Sequence, residues 1–553
     1  MARWSSNQWV CVLVGMGGLV LGLALPFAPV VAEQTVTIWP APRHAVVSST
    51  ALFVPYRPAE LTAVVPCAVI RAATDRAAPV TVLATGPDGQ GLVLRTDPTG
   101  THLRLDHRTV ALNAISADAT TDCQVTVTAG PRGSTVTNPD GRSVDFPGDP
   151  VPEVFAFHTD LDPAQAAGMT VQARAASPFA TSPTGLKAVL NAAQVLAVSV
   201  AVGLLVLAGR RTRAPPPATE VKEQLSRPGR RWPAIGVDAA VIAVLGGWAV
   251  IGPLAVDDGW AATIARNVAA TGSAGNYYRW WNAAETPFAL EQQLLAPFTE
   301  VSLAPLWLRV PSTLLAIAVW FVLTRGVLAA ALPAIAATTR IRLLAAVCLL
   351  AAWLPFNLGA RPESYVALGV TSVLALLWRA RGPAALGWAA LVTGLTLAIS
   401  PTAVVLAAPI LIFAPRIVAI LRATARGRAE LLGLVLLLGC VGSVGLSVIF
   451  TDQTWDGLIT ATDWHTVFGP TLPWYREAQR YQYLLGGDQQ GSVAKRVPVL
   501  LTIAMLPIVA VTVARRPERD DGERGAARLA AMVILALLLM ALVPSKWSFH
   551  LGA

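Results

Sequence analysis

From residue 187 onward, apolar runs recur at short intervals, near 187–208, 233–255, 311–331, 341–356, 364–378, 384–399, 402–415, 430–450, 497–514 and 527–543. With the run at 9–31 (WVCVLVGMGGLVLGLALPFAPVV) they make eleven candidate spans of the ~30 Å hydrocarbon core. Length alone would allow two or three soluble domains, but 54% apolar and 14% charged residues fit a polytopic membrane protein. A polytopic helical bundle is therefore the expected fold for 187–553, with about eleven spans in the whole chain.

The connections carry the second constraint. Arg210, Arg211, Arg213, Arg227, Arg230 and Arg231 fall in one loop. Arg340 with Arg342, Arg379 with Arg381, Arg416 through Arg428, and the segment RRPERDDGERGAAR at 515–528 follow. These fall at every second connection, as the positive-inside rule requires. The net charge of +9 is thus a topology signal, and nucleic acid is not expected as a partner. Arg3 before the first run places the amino terminus in the cytoplasm of a plasma membrane. The length of that run favours a retained anchor (1–32) over a cleaved signal peptide, the rival suggested by VVA before Glu33. The loops 256–310, 357–363, Ser400–Pro401, 451–496 and the end from Pro544 then share the extracytoplasmic face.

Residues 33–186 read differently. Runs such as QTVTIW, PVTVLAT, GLVLRT, THLRL, CQVTVTAG and MTVQARA alternate with Gly, Pro, Asp and Asn. That spacing predicts an extracytoplasmic all-β sandwich of jelly-roll size, whose surface either binds carbohydrate or packs on the helices. Cys67 and Cys123 lie here, either as a disulfide if this side is oxidising or as two buried thiols.

The polar chemistry gathers in the outer loops. Asp257 and Asp258 directly follow a candidate span, where an uncompensated carboxylate pair is costly. Their loop continues to Glu285 through Tyr277, Tyr278, Trp280 and Trp281. Carboxylates serve as general bases towards hydroxyls, and aromatic faces suit sugar rings. The alternative is an interfacial aromatic belt with the aspartates capping a helix. Arg361 and Glu363 occupy the next outer connection, as a phosphate contact or as an internal pair. The outer loop at 451–496 holds Trp474, Tyr475, Arg476, Tyr481 and Tyr483, consistent with an interfacial helix. PSKWSFHLGA adds Lys546, Trp547 and His550, a cation and an imidazole suited to a phosphate leaving group.

No Walker A, dinucleotide fingerprint, Ser-His-Asp order or zinc spacing occurs. The spans lack the polar relay of a transporter. Chemistry at the outer surface on a lipid-linked donor is the expectation, with a divalent cation on the paired aspartates left open.

DDGW, GNYYRWWNAAETPF, LWLRVPS, NLGARPE, FTDQT, WYREAQRYQYL and VPSKWSFHLG, in that order, resemble the mycobacterial and corynebacterial Emb arabinosyltransferases, the family targeted by ethambutol. The resemblance implies a GT-C glycosyltransferase. Such an enzyme moves arabinofuranose from decaprenyl-phosphoryl-arabinose to the arabinan of arabinogalactan or lipoarabinomannan, as a homo- or heterodimer. It makes Asp257 the base that deprotonates the acceptor, with Asp258 orienting it. Glu285 binds acceptor hydroxyls, and Trp547 and His550 lie near the donor and drug pocket. Arg361 and Lys546 are assigned to phosphate on charge and placement, and Tyr277, Trp280 and Trp281 to the acceptor. Two departures stand out. Phe549–His550 occupies the place of two consecutive histidines, and family members continue past this point, so a shortened carboxyl-terminal part is expected. The alternatives are a catalytically silent partner that binds arabinan or donor and, less favoured, a lipid-linked sugar flippase.

Overall fold

The computed structural model describes residues 6–32, 36–41, 43–50, 57–76, 78–86, 90–112, 123–174, 179–211, 231–254, 258–272, 274, 286–467, 469–515 and 521–553. Two compact units emerge. One is formed mainly by Ala32–Thr181 and the other mainly by the chain before and after it.

The first unit is built from antiparallel sheets. Six strands lie side by side in the order Ser143–Pro147, Gly133–Thr137, Gln124–Gly130, Glu60–Pro66, Thr170–Arg174 and Val36–Trp39. Four more form the meander Val80–Ala84, Leu92–Asp97, Gly100–Leu105 and Arg108–Ala111. Period-two alternation explains the core. Leu61, Ala63 and Val65 pair in register with Ala129, Val127 and Val125, so all six project to one face. They share a buried cluster with Val82, Leu92, Leu94 and Leu103 of the meander. The six β-runs expected from sequence all form strands, while Glu60–Pro66, central in its sheet, was not among them.

Cys67, directly after that central strand, is bonded to Cys123 at a Cα separation of 5.4 Å. Its amide also donates to the Cys123 carbonyl at 3.0 Å. Of the two readings of this pair, the disulfide is the one present. Replacing both cysteines with serine is expected to destabilise this unit by about 4 kcal/mol, since the bridge closes a long loop in the unfolded chain. Calorimetry of the sandwich transition would show it, and a shift no larger than that of an exposed substitution would exclude it.

In the second unit, six helices among the described residues are long and apolar enough to cross a bilayer: Gln8–Phe27, Gly185–Arg210, Pro305–Ala331, Arg428–Ile449, Val493–Ala514 and Gly522–Leu542. A seventh arises if Pro401–Ile412 and Ala414–Thr424, bent by 61°, count as one. The expected count of eleven is therefore corrected. The run at 341–356 becomes the 15-residue helix Thr339–Trp353, and that at 384–399 the 15-residue helix Pro383–Leu397. At 1.5 Å per residue each reaches only ~22 Å, short of the ~30 Å core. The 233–255 run keeps its apolar stretch only over Ile235–Ile251, and Glu363 and Arg379 bracket the one at 364–378. In the bent pair, a new helix begins at Ala414 directly after Phe413, with Pro415 in its first turn, because proline cannot continue the preceding hydrogen-bond ladder.

Glycines set one helix contact. A Cβ on Gly18 would lie 2.3 Å from Cys440 Sγ, and one on Gly15 would lie 2.7 Å from the Leu436 backbone. The amino-terminal helix therefore packs on Arg428–Gly442 through small residues, the usual device of helices in lipid.

Candidate functional site

The site is assembled around the NLGARPE connection. Asp258 begins the helix Asp258–Thr271, and its Oδ1 accepts from the Ala360 amide at 2.9 Å. This approach needs Gly359. The residue has φ +89°, and a Cβ there would sit 2.1 Å from Asp258 Oδ1. The second aspartate of the pair is thus a latch between two loops. Asp257 itself lies outside the described residues, as do Glu285, Tyr277, Tyr278, Trp280 and Trp281.

Arg309 of LWLRVPS steadies the approach to that aspartate pair. Almost fully buried, it donates to the carbonyls of Ala249 and Pro253, both at 2.8 Å. The guanidinium therefore satisfies carbonyls where the Arg231–Ile251 helix ends, just ahead of Asp257. The sequence marked it only as part of the LWLRVPS motif, without a role.

On the other side of NLGARPE lies the carboxyl-terminal motif. His550 Nδ1 is 2.8 Å from Glu363 Oε1 and 3.3 Å from Thr402 Oγ1, while Nε2 is 2.9 Å from Ser545 Oγ. Glu363 is 2% exposed and its Oε2 has no hydrogen-bond partner. Arg361 is buried with its guanidinium 4.2 Å from the Phe549 ring centroid. Asn357 Nδ2 donates to the Gly552 carbonyl at 2.8 Å, closing the contact. Trp547 stands between Tyr483, at 5.1 Å between ring centroids, and Phe549, at 5.8 Å. Beside the internal pair considered from sequence, between Arg361 and Glu363 or an aspartate, stands a Glu363–His550 pair at 2.8 Å that sequence reasoning did not foresee. Phe549, the departure noted from sequence, fills its position as a flat face beneath Arg361.

Lys546 is placed differently from its neighbours. Its ammonium is fully buried and donates to the carbonyls of Ala541 and Val543 at 2.8 and 2.7 Å. It also pairs with Glu477 at 3.1 Å. Burial pulls the group below the ordinary lysine range, and Glu477 opposes that shift. Its three donors are thus occupied inside the protein, where a phosphate contact was expected from charge alone. Glu477 and Arg480, not singled out from the sequence, complete this knot. Arg480 Nε meets Glu477 at 2.6 Å, and Nη1 donates to the Trp547 carbonyl at 2.8 Å.

A cavity of ≈ 420 Å³ adjoins the site. Most of its lining is apolar, including Leu323, Leu349, Val370 and Met532, yet Asn357 and His550 belong to it as well. Among the described residues, no group of three or more His, Cys, Asp or Glu is arranged to hold a metal ion.

A β unit of antiparallel sheets and a set of long apolar helices, with carboxylate, imidazole and guanidinium groups collected beside an apolar cavity, define a multi-pass membrane protein. The sequence profile described as "Mycobacterial cell wall arabinan synthesis protein" matches residues 182–553, and "Arabinosyltransferase concanavalin like domain" matches 32–177. The chain belongs to this arabinan synthesis family, that of the Emb arabinosyltransferases. It is 33% identical to the probable arabinosyltransferase B of Mycobacterium avium, over 99% of this chain and 52% of that protein. Against the Mycolicibacterium smegmatis protein of the same name it is 31% identical, again over 99% and 52%. The cryo-EM structure of arabinosyltransferase EmbB from Mycobacterium smegmatis superposes with a TM-score of 0.55 at 26% identity, over 97% of this chain and 53% of that one. The chain spans about half the length of the curated relatives it matches.

Proposed function

We propose that this chain carries the donor side and the catalytic base of an inverting arabinofuranosyltransferase. The enzyme uses decaprenyl-phosphoryl-arabinose and acts on cell-wall arabinan of arabinogalactan or lipoarabinomannan. The observation that carries the reading is the apolar cavity whose lining includes His550 and Asn357. A nucleotide-sugar donor would need no such cavity, whereas a polyprenyl chain gains about 0.8 kcal/mol for each CH₂ it buries.

In this reading the Asp257 carboxylate removes the proton of the acceptor hydroxyl. That oxygen bonds to the anomeric carbon as the bond from carbon to phosphate oxygen breaks, and polyprenyl phosphate leaves without needing a proton. Attack from the opposite face inverts the configuration. Arg361, held against Phe549, faces the phosphate charge, and His550 is oriented by Glu363 and Ser545 to donate towards the same group. The second Glu363 oxygen, buried and unpartnered, accepts from a sugar hydroxyl. Trp547 offers a ring face to the donor sugar, while Glu285, Tyr277, Trp280 and Trp281 receive the acceptor. Lys546 acts as a structural tie rather than a phosphate contact. The loops face outward, and the working unit is a dimer with a second copy or a paralogue.

The test is arabinose transfer in membranes carrying this chain, alone and joined to the remaining half of a relative. Donors with a full-length prenyl chain and with two isoprene units are compared. The short donor should raise KM by at least about tenfold, given the transfer energy of the lost methylenes. Equal KM for both donors would detach the cavity from the function. Donor binding without transfer in both constructions would favour the silent-partner reading, for which Phe549 in place of a polar donor is the motivating residue.

A further inference from the structure

A second recess, of ≈ 960 Å³, lies at the opposite, Arg-rich connections, and its lining differs in kind from the first. Arg210 comes from the end of the Gly185–Arg210 span, Arg379 from the last turn of Pro362–Arg379, Arg381 from the following loop, and Arg416 from Ala414–Thr424. No Asp or Glu is among the residues lining it. Among the described residues none of these four arginines is in a salt bridge, although Arg416 donates to the Ala380 carbonyl at 2.8 Å and Arg379 to the Arg325 carbonyl. Four like charges around one recess repel one another, so the recess gains most from an anion. The residues Gly382, Ala384 and Ala385 add the start of the Pro383–Leu397 helix, which has no side-chain cap and no acid in its first turn. Its free amides favour the same charge. Trp388, 47% exposed, and Val206 complete a rim of the amphipathic kind found where spans leave the hydrocarbon.

We propose that this recess binds the phosphate group of an anionic phospholipid, with the guanidiniums on the phosphate oxygens and the glycerol and acyl region along Val206 and Trp388. Planar guanidinium forks match phosphate oxygens in pairs, and the recess lies at the terminus of an apolar span, the end at which a spanning helix meets lipid headgroups. The site is separate from the donor site and does not depend on the transferase reading. Its arginines come from three stretches that are distant in sequence, at Arg210, Arg379 with Arg381, and Arg416.

The full chain in zwitterionic phosphatidylcholine nanodiscs, doped with phosphatidylglycerol, would be examined by native mass spectrometry for retained lipid. Wild type should retain phosphatidylglycerol selectively. The Arg210→Gln, Arg381→Gln double variant should lose about 30-fold in retention, as expected for two cations lost near a membrane surface. Arg340→Gln, a basic residue of the same face outside the recess, should retain lipid like wild type and controls for bulk charge. Competition by inorganic phosphate at equal concentration would assign the recess to free phosphate and overturn the lipid proposal. Equal retention of phosphatidylcholine, or unchanged retention in the double variant, would overturn it too. Should the double variant fail to fold, Arg381→Lys, which keeps charge but loses the fork, must still reduce retention.

Discussion

Replacing Glu477 with alanine is expected to destabilise the helical unit by about 3–5 kcal/mol, because it strands two fully buried cations at once. Arg480 and Lys546 are both fully buried, and the Glu477 carboxylate is their shared counterion, at 2.6 and 3.1 Å. Their remaining partners are carbonyls of Met540, Ala541, Val543 and Trp547, which accept hydrogen bonds but carry no compensating charge. Glu477→Gln keeps an acceptor and should fall between wild type and alanine. The loss should also depend on pH in a defined direction. Lys546 has its folded pKa below the ordinary lysine value, and removing Glu477 lowers it further. Between the folded and unfolded pKa values the unfolded chain binds more protons, so stability rises with pH and the deficit of Glu477→Ala narrows. Thermal inactivation in detergent at several pH values would measure this, with Trp474→Ala, 67% exposed, as the reference. A Glu477→Ala shift no larger than that reference would remove the knot from any stabilising role.

This knot also marks where sequence reading stopped. Glu477, Arg480 and Lys546 are separated by up to 69 positions, and each alone looks like a polar residue in an outer loop. A charge that reaches inward to carbonyls has the same letter as one that reaches outward to a phosphate, so Lys546 was misplaced by charge and position. Glu363 shows the converse. Its motif was visible and a pair with Arg361 next door was one of the readings considered, but its contact with His550, 187 residues away, was not foreseen. The β unit was the more legible part, because period-two alternation is local; the Glu60–Pro66 strand escaped notice because its sequence, ELTAVVP, ends directly on a proline. Span counting failed for a different reason. Apolar composition identifies buried or lipid-facing segments alike, whereas length between breaks decides crossing, and Thr339–Trp353 is apolar yet only 15 residues long.

Asp257→Asn is expected to lower turnover by about 10²–10⁴-fold with little change in donor KM, the signature of a general base lost after binding. The neighbouring position provides the contrast that isolates this chemistry. Asp258→Asn retains an Oδ1 able to accept from the Ala360 amide, so the latch persists while the charge is lost. Asp258→Ala removes the acceptor and leaves the Ala360 amide, on a residue 4% exposed, without that bond, at a cost of about 1–3 kcal/mol. The two aspartates should therefore separate by readout. At Asp257 the loss falls on kcat with thermal stability unchanged. At Asp258 stability and kcat fall together for alanine, and asparagine recovers most of both. Retained transfer in Asp257→Asn, with loss in Asp258→Asn, would move the base to the second carboxylate. That outcome would conflict with its geometry, because Oδ1 of Asp258 is already engaged by the Ala360 amide. The contrast isolates the proton-transfer role proposed for Asp257 from the commitment of Asp258 to the NLGARPE loop, which Gly359 makes sterically possible.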